Sequence, residues 1–317
     1  MASTAAPLPP RPALLMLPVL ACLGGMFFFG AMDTAMKAVT IDIGVVAALF
    51  WRCAIGSVIA IVLYAARRGP LPGHALIRLH LLRGSVVAAM ALLFFWGLAR
   101  TPMAEAIAIS FIAPIIALFL AAILLGETIG RNAIYASLLG LAGVLVIAGS
   151  RLGLFGGGDS GASTASLPGI LAITGSAVLY AWNLVLQRQQ AQIASPQEIA
   201  LSQNLIVCFW MALALPLAGA MPGTGSIDAG TVWLLIAVAA VLSIISLLLL
   251  SWAYARAEAQ ALVPLEYSML LWAALFGWFA FGETPGWATL VGAGLIVCGC
   301  WLATRRVGAA EAPVVTV

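Results

Sequence analysis

The sequence predicts an all-α membrane protein in which ten transmembrane helices form two inverted five-helix repeats. Three observations lead to this fold class: the composition, the spacing of apolar segments and an internal repeat. Of the 317 residues, 64% are hydrophobic and only 8% are charged, whereas soluble domains have about 25% charged residues. A soluble globule of this size could not bury so much apolar surface. Soluble enzymes, disordered chains and nucleic-acid-binding proteins are therefore excluded.

Apolar segments long enough to cross a bilayer, about 20 residues each, recur along the chain. The first runs from Leu14 to Met36 and is too long for the h-region of a signal peptide, so we expect it to be retained. Short connections leave no extramembrane domain. The predicted spans are 14–37, 43–65, 82–100, 103–125, 132–150, 168–188, 198–220, 230–255, 261–281 and 286–304.

These spans divide the chain into two repeats with short flanking segments. The predicted organisation is a cytoplasmic N-terminal tail (1–13), a first five-helix repeat (14–150), a Gly/Ser-rich linker (151–167), a second five-helix repeat (168–304) and a cytoplasmic C-terminal tail (305–317).

Lys and Arg residues near span ends indicate the orientation, because cytoplasmic loops carry an excess of them. We expect a multi-pass inner-membrane protein with both termini in the cytoplasm. We interpret Arg67–Arg83, which holds His74 and His80, as an exposed basic loop that faces anionic lipid. The inside residues are Arg11, Arg67, Arg68, Arg78, Arg83, Arg131, Arg188, Arg256, Arg305 and Arg306, against Lys37, Arg100 and Arg151 outside.

The chain contains an internal repeat. Residues 96–128 align without a gap on 252–284 with seven identical positions, six of which fall in the patterns W-x-x-A-R and G-E-T. Because each copy has an odd number of spans, the two copies must have opposite orientations in the membrane. Inverted repeats that meet near the midplane are typical of secondary transporters.

The Gly-Glu-Thr sequences at 126–128 and 282–284, Lys37 at the end of the first span, and the Phe-Trp-Arg sequence at 50–52 carry a family resemblance. The chain resembles the drug/metabolite transporter (DMT) superfamily, in particular its EamA-type ten-helix members. The resemblance covers residues 14–304 and is specific for the family rather than for a substrate. It implies a carrier that does not hydrolyse ATP, with a central cavity lined by spans 1, 3, 4, 6, 8 and 9.

Charged residues inside the spans are the first functional candidates, because a charge at the bilayer centre costs about 2.5–3.5 kcal/mol on insertion scales. Asp33 and Lys37 are one helical turn apart and can pair, and Arg52 lies midway along the second span. We expect this triad to attract anions or to form an ion-pair gate that opens when substrate binds. The alternative is a structural ion pair between the first two spans, with Lys37 reaching to the interface.

Two carboxylates lie in the equivalent fourth and ninth spans. Glu105 is near the outer start of the fourth, and Glu266 follows Pro264 in the ninth. Proline frees a backbone carbonyl, and broken helices at membrane depth are tolerated where they line a cavity. With Tyr267 beside it, Glu266 is our first candidate for carrying a proton or binding a substrate amine. The alternative is an ion pair between Glu266 and Arg256 at the cytoplasmic interface.

Polar and aromatic side chains complete the candidate site. Asn183 offers an amide to substrate, although amides in spans often serve only to join helices. Trp96 and Trp252 occupy equivalent helix ends, where Trp commonly belongs to the interfacial belt. Pro114 can kink the fourth span and turn Ser110 towards a pocket. The candidate substrate-binding residues are Asp33, Lys37, Arg52, Trp96, Glu105, Ser110, Tyr180, Asn183, Trp252, Glu266 and Tyr267.

Other recurrent features are interpreted as structural. Glu127 and Glu283 precede helix starts, where a carboxylate is favoured by the helix dipole. Small residues in the fifth and tenth spans serve either as scaffold or as a homodimer contact. The sequence has no Walker A, HExxH or GxSxG motif, and its five cysteines have no metal or disulfide spacing. We therefore expect neither a cofactor nor a metal, and no enzymatic activity.

The predicted function is secondary active transport of a small polar or amphipathic metabolite, either an amino-acid-like or larger zwitterion or an organic anion. Arg52 and Lys37 would meet a carboxylate or phosphate, and Glu266 an amine or a proton, while the repeats alternate access. Coupling to protons and coupling by exchange are both compatible with these residues. The alternatives are a lipid-linked flippase of the same superfamily and an uptake carrier for vitamin- or nucleoside-type metabolites. The expected partners are the solute and membrane lipid, with no nucleic acid.

Overall fold

A computed structural model describes residues 12–67, 73–98, 110, 112–125, 130–151, 167–218, 228–281 and 287–304, and these residues contain helices and no strand. The helices are α1 (Pro12–Ile43), α2 (Val45–Arg67), α3 (His74–Leu98), α4 (Ala113–Leu125), α5 (Arg131–Arg151), α6 (Leu167–Ile193), α7 (Pro196–Ala214), α8 (Ala229–Arg256), α9 (Ala259–Leu262), a 3-10 turn (Val263–Tyr267), α10 (Ser268–Phe281) and α11 (Trp287–Thr304).

Five of these helices, α1, α2, α3, α6 and α8, are long and apolar enough to cross a bilayer. Shorter apolar segments lie in α4 and α11, at Ile115–Leu124 and Leu290–Gly299. The predicted all-α membrane fold is confirmed. The first seven residues of the predicted fourth span, with Glu105 among them, lie outside the described residues.

Helix α3 corrects the interpretation of the second connection as an exposed basic loop. It begins at His74, eight residues before the predicted third span. His80 and Arg83 therefore lie within the helix, and they are only 5% and 2% exposed. Burial of these polar groups is tolerated because side chains from α6 and α7 bind them.

Short connections are determined by local sequence. Gly44 links α1 to α2 with a φ of 83°, a conformation that glycine adopts without steric cost. Ser195 caps α7 by accepting a hydrogen bond from the N–H of Glu198 at 3.2 Å, and Pro196 follows in the first turn. Pro264 interrupts the predicted ninth span, which becomes α9, the 3-10 turn and α10.

Helix α8 begins at a capped terminus. The Asp228 carboxylate accepts hydrogen bonds from the Thr231 hydroxyl at 2.7 Å and from the Thr231 N–H at 2.8 Å. These hydrogen bonds lower the pKa of Asp228 below its usual value, so the carboxylate stays charged at neutral pH and stabilises the helix start.

Two groups of helices form the core, and each group mixes the two halves of the chain. In the α1 group, α1 packs on α8 and α10; in the α6 group, α6 packs on α3 and α4. The helices of the two groups are counterparts in the two halves: α1 corresponds to α6, α8 to α3 and α10 to α4. This correspondence is the packing expected of a duplicated chain.

Matched contacts show which residues of the two halves are equivalent. A Cβ placed on Gly24 would lie 3.7 Å from Leu249 Cδ1, and one placed on Gly175 would lie 3.6 Å from Leu93 Cδ1. Equivalent positions are thus 151 residues apart in α1 and α6, and 156 apart in α3 and α8. The second offset is that of the sequence repeat. The same offsets relate two hydrogen bonds of 2.9 Å, Ser246 Oγ to the Gly25 carbonyl and Ser176 Oγ to the Met90 carbonyl.

Equivalent helices of the two halves cross antiparallel. Gly56 of α2 lies against Asn204 of α7, and Ala60 packs in one cluster with Ala200. Residue numbers therefore rise along one helix as they fall along the other, which is the relation expected of inverted repeats. The small residues of α5 and α11 behave in the same way, with Gly143 against Gly292 and Gly140 against Gly299.

Candidate functional site

Glu266 is the centre of the candidate site. It lies in the 3-10 turn, is 3% exposed, and accepts hydrogen bonds from Tyr180 at 2.6 Å and from Tyr254 at 2.9 Å. Tyr180 belongs to the α6 group and Tyr254 to the α1 group, so the carboxylate joins the two groups. The alternative ion pair with Arg256 does not form, because Arg256 donates to the Trp252 carbonyl of its own helix.

Unpartnered donors and an aromatic wall lie just beyond the turn, in α10. The Ser268 hydroxyl and the Trp272 indole N–H are buried without a hydrogen-bond partner in the described structure. Phe27 of α1 packs edge-to-face on Trp272 with ring centroids 5.2 Å apart. A buried carboxylate, free donors and aromatic faces are the groups that orient a small polar solute in a largely apolar pocket.

Arg52 occupies the boundary of α1, α2 and α8. It donates to Ser243 Oγ at 2.9 Å and lies 3.8 Å from Met32 Sδ. Asp33 is half-buried and within electrostatic range of Arg52, although no ion pair within 4 Å joins these two described side chains. The Lys37 side chain lies outside the described structure. The structure therefore brings two members of the predicted triad together.

The other predicted residues are more dispersed. Trp96 is 45% exposed at the end of α3, which fits an interfacial belt. Trp252 lies under the Arg256 guanidinium, 4.1 Å from the ring centroid. Tyr267 is fully buried against Gly140 of α5, and Ser110 is half-buried.

Sequence reasoning missed Arg83, the most buried charged side chain in the described residues. Arg83 donates to Asn183 Oδ1 at 3.0 Å, to Gln190 Oε1 at 2.7 Å and to Gln187 Oε1 at 3.0 Å. The Asn183 carbonyl oxygen is thus engaged with protein. The spacing of the three amides, which places them along one face of α6, was the signal for a polar partner in α3.

His80 extends this network to α7. Its ring lies 3.2 Å from Glu198 Oε1 and 3.0 Å from Ser202 Oγ, and Gln190 also contacts it. The network satisfies polar groups that would otherwise be costly to bury. It holds α3, α6 and α7 together through contacts that include the one between His80 and Glu198.

The counterpart of this network in the other half is apolar. Through the offsets given above, Arg83 corresponds to Ala239, and the face of α6 that binds it corresponds to a face of α1. Ala239 packs in a core cluster with Met32, Met36 and Val39. The two interfaces are equivalent in position but differ in chemistry.

A separate groove of about 440 Å³ opens on the outer surface of the helices. It runs between α1, the start of α7 and α8, and the residues that line it are Leu17, Leu20, Ala21, Pro196, Gln197, Leu248, Leu249 and Trp252.

Comparison with known proteins identifies relatives over most of the chain. The sequence profile described as the EamA-like transporter family matches residues 16–149 and 167–305. The "Pseudopaline exporter CntI" of Pseudomonas aeruginosa is 26% identical over 88% of this chain and 93% of its own. The "Riboflavin transporter" of Vibrio cholerae is 26% identical over 69% of this chain and 68% of its own.

A solved crystal structure shares the fold. It superposes with a TM-score of 0.75 over 91% of this chain and 98% of that chain, at 22% identity. An "Uncharacterized transporter" of Helicobacter pylori is also similar, with 26% identity over 67% of this chain and 69% of its own.

Proposed function

Because this chain belongs to the EamA-like transporter family, we propose that it is a secondary active transporter of a small solute that carries an amine together with an anionic group. Transport proceeds by alternating access between the inverted halves, at a site built around Glu266. The observation that carries the proposal is the pair of tyrosine hydroxyls that hold the Glu266 carboxylate between the two helix groups.

The carboxylate favours a cationic group on the solute. Glu266 is buried and its hydrogen bonds come from neutral phenols, so within the described residues no cation neutralises its charge directly. An amine or a proton supplies the missing charge, which accords with the cost of isolated ions in a membrane. Trp272 and Ser268 supply donors to the rest of the solute.

Arg52 is the proposed partner of the solute's anionic group. Its Nε is buried without a hydrogen-bond partner in the described structure, and Asp33 lies within electrostatic range without pairing with it. A guanidinium binds carboxylates and phosphates through paired N–H groups. Lys37 and Asp33 tune the charge of this region in the proposal.

We place the protein in the inner membrane with both termini in the cytoplasm. The basic residues Arg78, Arg188 and Arg256 then lie near the cytoplasmic surface, as the positive-inside rule requires. The ends of α6 and α8 face the cytoplasm in this orientation. Proton coupling and solute exchange both operate through Glu266, which binds the proton in the first case and the amine in either.

The test begins with a thermal-shift panel on the purified protein: amino acids, larger amino-carboxylates, organic anions, nucleosides and riboflavin. A stabilising solute is then measured by counterflow in liposomes. We expect Glu266→Gln to abolish counterflow at unchanged folded yield, and Glu258→Gln, at an exposed carboxylate, to retain it. Normal counterflow in Glu266→Gln would remove the proposed site.

The surface groove favours one alternative, a lipid flippase. The leucines of the groove suit an acyl chain. Arg256, whose guanidinium stacks on Trp252 at one end of the groove, would bind a headgroup phosphate. A flippase would ignore every water-soluble member of the panel and would move a fluorescent phospholipid between leaflets. The inward position of Glu266 supports the solute carrier instead.

A further inference from the structure

The C-terminal ends of α6 and α8 are fastened together. Arg188 of α6 donates to the backbone carbonyl of Tyr254 in α8. Gln192, one turn further along α6, donates to the carbonyls of Tyr254 at 3.2 Å and Ala255 at 3.3 Å. Carbonyls in the last turn of a helix lack helical partners and attract cations. This α6–α8 clasp connects the α6 group to the α1 group at one end of the molecule.

The packing of the equivalent helices at the opposite end is different in the described residues. The counterparts of α6 and α8 are α1 and α3, and within the described residues these two helices make no packing comparable to that of α6 on α8. The two halves are related by inversion, so a symmetric molecule would have both contacts. The structure is therefore asymmetric, with the groups drawn together where α6 and α8 end.

A basic residue occupies the same position in both halves. α1 contains a single Lys or Arg, Lys37, and α6 also contains a single one, Arg188. The offset that relates α1 to α6 places these residues at equivalent positions. The offset that relates α3 to α8 makes Leu98 the counterpart of Tyr254, so Lys37 has an equivalent carbonyl target at the other end.

We propose that Arg188 is a gate residue of the carrier and that Lys37 is its positional counterpart in the other half. Arg188 closes the end at which α6 and α8 terminate by binding the carbonyls of α8 in one of the two alternating states, and it releases them in the other. The inference rests on the proposed transport function.

Tyr254 connects this gate to the solute site. Its carbonyl accepts the Arg188 hydrogen bond, and its hydroxyl donates to Glu266. A solute that binds Glu266 and displaces this hydroxyl acts on the residue that Arg188 holds. The same residue thus links occupancy of the site to closure of the gate.

The competing explanation is that Arg188 only caps α8. Arg256 provides a matched control for it, because Arg256 also donates to a carbonyl near the end of α8, that of Trp252, but belongs to the same helix. Loss of Arg256 removes a cap without releasing α6. Loss of Arg188 removes a contact between the two helix groups.

The experiment directly measures the gap between the C-terminal ends of α6 and α8. Spin labels at Ile193 and Glu258, both exposed and at the ends of α6 and α8, report its width by pulsed electron paramagnetic resonance in a cysteine-free protein in liposomes. We expect Arg188→Gln to raise the ratio of long to short distances on the order of tenfold, since hydrogen bonds to charged groups are the stronger ones. Arg188→Lys, Arg256→Gln and Lys37→Gln should keep the short distance.

An unchanged distance distribution in Arg188→Gln would show that Arg188 is a cap alone, as would an equal change in Arg256→Gln. If Arg188→Gln does not fold, Gln192→Ala tests the same gap with a smaller expected shift, and no shift in that variant would also overturn the gate. Because the distances need no solute, a panel without any transported compound would contradict the proposed function and leave the gate result standing.

Discussion

Tyr180 and Glu266 are joined by a hydrogen bond of 2.6 Å that crosses the boundary between the two helix groups. Tyr254 supplies the second hydrogen bond to the same carboxylate from within the α1 group. In the proposed carrier, opening of the site towards either side would separate the α6 group from the α1 group. The Tyr180 hydrogen bond would then be made in the closed arrangement and broken in the open one.

Tyr180→Phe removes this bond between the groups and leaves the Tyr254 bond in place. We expect counterflow of the solute found by the panel to fall about tenfold, the effect of losing one hydrogen bond to a charged group. Tyr135→Phe is the control, since Tyr135 is 57% exposed on α5. Counterflow at the wild-type rate in Tyr180→Phe would contradict a role for this bond in transport.

Arg52→Gln removes the guanidinium while keeping a polar side chain. If Arg52 binds the anionic group of the solute, the half-saturating solute concentration rises about tenfold or more and the melting temperature changes little. Ser243→Ala, which removes one hydrogen-bond partner of Arg52 and keeps the guanidinium, should have a smaller effect. A lower melting temperature with unchanged solute affinity would identify Arg52 as a structural lock.

Arg83→Met tests the buried network. The substitution leaves the amide oxygens of Asn183, Gln187 and Gln190 without their donor, and we expect a loss of about 3 kcal/mol in unfolding free energy, since each unsatisfied buried group costs about 1–3 kcal/mol. Denaturation in detergent micelles measures it. Arg78→Met, at an exposed position of α3, should be near neutral, and equal stability of both variants would show that the network contributes little.

Gly140→Ala tests the support of the 3-10 turn. A Cβ at this position would overlap the ring of Tyr267, the neighbour of Glu266, whereas a Cβ on Gly294 would meet nothing within 4 Å. We expect Gly140→Ala to lower stability by about 1–3 kcal/mol, as overpacking does, and to weaken solute binding by moving the turn. Gly294→Ala should preserve both, and identical melting curves for the two variants would contradict the close packing of Tyr267.

Much of the fold was predictable because membrane helices follow from local composition. Apolar length located the spans, and the family resemblance carried by the Gly-Glu-Thr sequences and by Lys37 is confirmed by the profile match over both halves. Pro264 was expected to interrupt the ninth span, and it does so because it cannot donate a backbone hydrogen bond. The first residues of α3 were assigned to a loop because His80 and Arg83 are polar. The apolar length of a segment cannot show that its polar side chains have hydrogen-bond partners on other helices.

The candidate site was predictable only in part, for the same reason. Glu266 and Tyr180 stand out as polar residues in apolar spans, but nothing local places them side by side. Tyr254 was not among the candidate residues, and its contact with Glu266 depends on how α8 meets the 3-10 turn. Asn183 was expected to serve the solute, and only the tertiary structure shows that its oxygen accepts a hydrogen bond from the Arg83 guanidinium.

The sequence by itself determined that the chain crosses a membrane, that it is duplicated and that its copies are inverted, since apolar length, repeat spacing and an odd span number are properties of the chain order. The tertiary structure decided which polar side chains meet. Helix register depends on close approach at small residues such as Gly56, Gly140 and Gly143, and a shift of one residue turns a side chain by 100° around its helix. That register brings Arg188 to the carbonyl of Tyr254 and gives Lys37 the equivalent place in the other half.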